Sequence, residues 1–231
     1  MLNTLSSRAT FYDIIGYLFP GILSLGTGWL WWYVFVDIDS AMRIARLMIN
    51  HGLLATFFML AGGYVTGHLA NSISSAILEK IMFNTKFRTA KKWLDRAKST
   101  NADRARRIEA IAQTEFKVSA EALTSFDMRI RMEEKMPNAT ITGFSFLSFY
   151  GMSRTLALLS WLAALPVCVI IGRNFSGTTS LSAAGLSCIA MIIIGGFFSY
   201  QYLRFVEYYY DFLGSTLMNV SGIKTATHAE S

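Results

Sequence analysis

Four stretches of this chain are apolar and free of charge: residues 14–36, 52–73, 155–172 and 183–203. A bilayer core about 30 Å thick takes about 20 apolar residues of helix to cross. None of the four holds Asp, Glu, Lys or Arg. The pattern predicts four transmembrane helices and an all-α, polytopic membrane protein with a small helical region outside the bilayer.

The segments between them carry a different period. Within residues 39–49, Met42, Ala45, Met48 and Ile49 recur at helical spacing, with Arg43 and Arg46 on the other side. That spacing predicts a short amphipathic helix lying on the membrane surface. Residues 104–116 place Ile108, Ile111 and Ala112 on one face. Residues 120–135, with Ser119 as a cap, carry Leu123, Phe126 and Ile130, and Pro137 ends that run. Such stripes are narrow and need a partner surface to be buried. Thr10 and Asp13 fit a capping box for the first span, and Pro20 predicts a kink within it. The second span should continue as helix through residues 80–98, and the fourth to about residue 213. Residues 141–153 are uncharged and rich in aromatics, among them Phe144, Phe146, Phe149 and Tyr150. They read as an interfacial segment leading into the third span.

This divides the chain into four parts. Residues 1–78 hold the first helix pair, 79–143 a helical cytoplasmic region, and 144–213 the second pair with an extension of its last helix. Residues 214–231 are expected to be a disordered tail.

Charge sets the orientation. Residues 79–143 hold 14 of the 21 Lys and Arg residues and nine of the 15 acidic ones. The loops at the opposite membrane face, residues 37–51 and 173–182, hold only Arg43, Arg46 and Arg173. Basic residues mark the cytoplasmic side, so both termini are expected there as well. Nucleic acid is a poor fit as partner: acids dilute the basic segment, and it has no RNP, zinc-knuckle or helix-turn-helix signature. Trp29, Trp31 and Trp32 cluster near the outer end of the first span, where amphipathic rings anchor helices at the interface. Arg154 and Arg204 stand at span boundaries and are expected to anchor the inner side by reaching toward head groups. The overall composition agrees, with 53 % hydrophobic residues and a mean hydropathy of +0.39.

The second span changes character along its length. Gly63, Gly67, Asn71 and Ser75 recur every four residues and form one ridge; Gly62, Thr66, Ala70 and Ser74 form the next. Small residues four apart let two helix backbones approach closely. His68 and Ser72 lie on an adjacent face. Gly63, Gly67, His68, Asn71 and Ser75 are therefore candidates for tight helix packing or, in a second reading, for the lining of a pore. Both readings keep that ridge away from lipid.

Catalytic patterns are absent from the sequence. It has no HExxH, GxSxG or P-loop, and no acidic pair within a span. One intramembrane histidine without an intramembrane acid offers neither a hydrolase site nor the mid-span charges of an ion-coupled transporter. Cys168 and Cys188 lie within spans, without CxxC spacing, and read as small hydrophobes. No enzyme activity, cofactor or metal is expected. The first span has a weak basic flank and no good cleavage site, so it reads as a retained span rather than a signal peptide.

The run Phe11-Tyr-Asp-Ile-Ile-Gly-Tyr-Leu-Phe-Pro-Gly21, followed by Gly67-His-Leu-Ala-Asn-Ser-Ile-Ser-Ser75, resembles small four-span bacterial inner-membrane proteins. Some of these are encoded beside phage-defence genes. The resemblance covers the first two spans and the general layout. It implies an inner-membrane sensor or effector that works with a cytoplasmic protein, sometimes as a homo-oligomeric pore. The expected role is an oligomeric membrane anchor, sensor or effector, with a depolarising channel as the alternative.

Overall fold

The computed structural model describes residues 13–79, 102–117, 119, 130, 134, 137–174 and 178–220. The described residues form an all-α protein with four helices long and apolar enough to span a membrane: Ile14–Phe35, Gly52–Leu78, Ser145–Arg173 and Ser182–Thr216. The chain falls into two compact units. One comprises Met1–Ile81 with Ser148–Leu203, the other Met82–Leu147 with Arg204–Ser231.

In the first unit, helix α1 (Ile14–Phe35) opens with a π turn over Ile14–Leu18 and becomes α-helical from Phe19. Phe19 N–H bonds back to Ile14 O, five residues away. This wider turn directly precedes Pro20, the position of the expected kink. Proline has no N–H for the carbonyl four residues back and its ring crowds the preceding turn, and the π turn makes room for it. The Thr10 half of the expected capping box lies outside the described residues.

Helix α2 (Ile38–Asn50) follows after two residues. Asp37 caps it: its carboxylate accepts hydrogen bonds from Asp39 N–H at 3.0 Å, Ser40 N–H at 3.2 Å and the Ser40 hydroxyl. The helix leaves Met42, Met48 and Ile49 exposed, the residues expected to meet the membrane surface. Helix α3 (Gly52–Ser74) ends in a π turn over Ser75–Glu79; its expected continuation over residues 80–98 lies outside the described residues.

Helix α5 (Pro137–Asn174) runs unbroken into the third span. Residues 141–153 are thus not a separate interfacial segment, and Pro137 begins a helix here. Proline fits the first helical turn, where its missing N–H has no intrahelical partner to lose. Half of the apolar window of this span is buried (50 %), against 17 % in each of the other three. Helix α6 (Thr178–Val220) contributes the fourth span. A Cβ added at Gly195 of α6 would lie 2.2 Å from Trp161 Nε1 of α5, so the indole occupies the space that glycine leaves. Leu78, Ala157 and Leu158 form a buried apolar cluster, with Trp161 and Phe198 against it.

The second unit contains helix α4 (Ala102–Ile111), closed by a π turn over Ala112–Phe116 and by Lys117 in the left-handed region at φ 54°. Ile108, Ile111 and Ala112 are buried together, on the face their spacing predicts. The 204–220 portion of α6 buries Val206, Tyr209, Tyr210, Leu213 and Thr216, a helical stripe. Phe146 packs on Phe212 at 5.7 Å between ring centroids and on Tyr208 at 6.5 Å. The stripe expected over residues 120–135 lies largely outside the described residues.

Candidate functional site

Helix α3 presents its small residues to α1. A Cβ at Gly67 would fall 1.9 Å from Tyr17 O, and one at Gly21 would fall 1.6 Å from Gly63 O. No side chain larger than hydrogen fits either position without moving backbone. Gly63 and Gly67 are buried in this contact. Thr66 adds a polar tie: its hydroxyl donates to Gly62 O of its own helix at 2.7 Å and lies 3.0 Å from Gly21 O across the contact. The two helices are antiparallel, since Gly63 meets Leu18 and Ile22 while Gly67 meets Tyr17 and Gly21.

One turn on, the ridge reaches α5. Arg154 is only 4 % exposed. The side chain turns into the protein. One terminal guanidinium nitrogen donates to Asn71 Oδ1 at 2.7 Å and Asn71 O at 3.2 Å. The other donates to the Tyr150 hydroxyl at 3.2 Å, and Nε donates to Ser74 Oγ at 3.3 Å. The guanidinium carbon lies 5.1 Å from the Tyr150 ring centroid, within cation–π range. Tyr150 rests against Tyr202 at 4.8 Å. Ser74 donates to Asn71 O at 2.9 Å and lies 3.2 Å from Thr155 Oγ1, which donates to Gly151 O at 3.0 Å.

The physical reason is desolvation. A guanidinium at membrane depth is costly unless its donors find acceptors, and Asn71 supplies two acceptors on one residue. Gly151 keeps the approach open, since a Cβ there would sit 3.3 Å from Asn71 Oδ1.

A second polar contact joins α1 to α5. Pro166 sits inside α5 and is fully buried. Proline cannot donate to the carbonyl four residues back, which is that of Leu162. Trp31 Nε1 donates to Leu162 O at 2.9 Å. The Trp31 indole thus supplies the hydrogen bond that Pro166 withholds.

The remaining candidates are placed as follows. Trp29 stacks on Tyr33 at 5.5 Å, and Trp32 is exposed. Arg204 lies over the Tyr208 ring at 5.3 Å and donates to its hydroxyl. Ser75 is half-buried in the π turn that ends α3. His68 is exposed, its ring stacked on Tyr17 at 3.8 Å and edge-on to Tyr64 at 4.7 Å. The structure thus gathers Asn71 with Arg154, and Gly63 with Gly67, but leaves His68 on the outer side of α3. Ser74, Tyr150 and Thr155 complete the Arg154 cluster; Tyr150 lies one turn before Arg154 on α5, whereas the Ser74 pairings span about 80 positions and have no local signature.

Among the described residues, no group of His, Cys, Asp or Glu gathers to hold a metal ion. Cys168 and Cys188 are free and half-buried. No protein-family model, curated protein or solved structure matches the chain.

Proposed function

We propose that this chain is a non-enzymatic membrane anchor and effector that self-associates in a bacterial inner membrane and serves a cytoplasmic protein partner. The observation that carries this is the closed polar cluster at Arg154. Its donors go to Asn71, Ser74 and Tyr150, so the polar ridge of α3 works as a brace between spans rather than as a free lining. The chemistry left for recognition is then the charged segment 79–143, with its 14 basic residues. In the described part of it, Ile108, Ile111 and Ala112 are buried apolar residues. The amphipathic stripes of that segment are narrow in sequence and suit a region completed by another protein.

The channel reading keeps one observation. His68 lies on the exposed side of α3, where an oligomer would place it. Particle mass in lipid nanodiscs, followed by ion leakage from liposomes at the same protein density, separates the two. A defined oligomer that leaves the liposomes tight is the expected result. A defined oligomer that leaks establishes the channel, and a particle of one chain overturns both.

A further inference from the structure

We propose that the outer stripe of α3, formed by Ala61, Val65, His68, Ser72 and Ala76, is the face on which a second copy of this chain sits, with His68 of each copy hydrogen-bonded across it. This rests on the self-association reading above and names the surface responsible.

The five residues fall within an arc of about 80° at 100° per residue, opposite the Gly63 and Gly67 face that α1 covers. All five are exposed. Their surroundings are lipid-facing by composition: Val65, Leu69 and Ile73 are 59 %, 57 % and 52 % exposed, on both sides of His68 along the helix. Lipid tails satisfy such residues, but they cannot satisfy an imidazole. Both ring nitrogens of His68 are without a hydrogen bond among the described residues, where the ring makes only its two stacking contacts. The Tyr64 hydroxyl, one turn away and 42 % exposed, also makes none there. Ser72, in contrast, is satisfied by its own helix, donating to His68 O at 2.9 Å. A polar group at membrane depth normally faces protein or water.

A second copy fits for two reasons. Copies inserted the same way run parallel, so a symmetry axis along the membrane normal brings position 68 opposite position 68 at equal depth. A neutral imidazole carries one donor and one acceptor, so an N–H···N bond between two His68 rings needs no further residue type. The close approach this requires is also available. Ala61, Ser72 and Ala76 are small, and Ser72 and Ala76 are four apart on the same stripe, the spacing that lets helices approach in lipid.

The test uses the full chain in native membranes with Cys168→Ser and Cys188→Ser as background. Ser72→Cys should give a disulfide-linked dimer on oxidation. Ile193→Cys, also at an exposed position but on α6, should not. In nanodiscs, His68→Leu should weaken self-association about three- to tenfold, the range of one interhelical hydrogen bond in lipid, and His68→Gln should retain it. An oligomer that persists by mass while Ser72→Cys fails to cross-link places the contact on another face and overturns this proposal alone. A single-chain particle overturns the self-association reading with it. Cross-linking at Ser72 with no loss in His68→Leu removes the imidazole bond and leaves the stripe as a lipid-excluding contact only.

Discussion

Arg154 shows how one residue sets conflicting demands. Its charge favours water, yet it stands in a helix whose neighbours are buried. The cluster resolves this through Asn71, and the two sides of that bond are unequal. Removing Arg154 leaves neutral acceptors short of a donor, which costs about 1–3 kcal/mol for a buried group. Removing the Asn71 side chain takes one acceptor from a buried cation, and a lost hydrogen bond costs more at a charged group than at a neutral one. Asn71→Leu should therefore destabilise the protein more than Arg154→Met, as read by unfolding in mild detergent with added SDS; the opposite order would refute the brace. Asp37 makes a second, pH-dependent case outside the spans. The Ser40 hydroxyl, then the Asp39 and Ser40 amides, hold its carboxyl below the ordinary value of 3.8. A lowered folded pKa means the cap's contribution is complete above pH 3.8 and is lost as pH falls through the lower folded value. Amide exchange in α2 should accelerate across that acid window. Asp37→Asn should remove the pH dependence while retaining the cap.

At the scale of elements, local pattern and distant pairing separate cleanly. The four spans, the amphipathic α2 and the buried face of α4 were legible because each depends on spacing within one segment. The Gly63-x-x-x-Gly67 contact was legible in kind for the same reason, although α1 as its partner was not. The fate of Arg154 was not legible: the apolar run begins at Thr155, which makes the arginine look terminal. The helix in fact starts at Pro137, and the acceptors lie on α3. Trp31 illustrates the same limit, because an aromatic near a span end reads as an anchor until Pro166 and the Leu162 carbonyl are placed beside it. That pairing has a sharp consequence. Trp31→Phe should destabilise the protein, since it leaves the Leu162 carbonyl without the donor that Pro166 cannot supply. In a Pro166→Ala background the alanine N–H can take that carbonyl, and the same Trp31→Phe change should cost much less. Additive effects in this double-mutant cycle would show that the indole serves packing alone.

For the whole molecule, the proposed orientation rests on the distribution of charge. Residues 79–143 hold 14 basic side chains, whereas the loops of the opposite face hold only Arg43, Arg46 and Arg173. The positive-inside bias acts on flanks close to the span ends, and residues 79–143 abut α3 on one side and the third span on the other. With an even number of spans, both termini must share the side of residues 79–143. Single cysteines in a background lacking Cys168 and Cys188 test this directly. Asn50→Cys, at the exposed end of α2, should react with a membrane-impermeant maleimide in intact spheroplasts. Ser99→Cys and a cysteine added after Ser231 should react only once the membrane is opened. Reaction of Ser99→Cys from outside would invert the topology. The partner of the basic segment would then have to be sought outside the cell, and the anchor reading would fall with it. Labelling of Asn50→Cys alone keeps that segment where a cytoplasmic protein can reach it, with little besides α2 and the short loop between α5 and α6 on the far side.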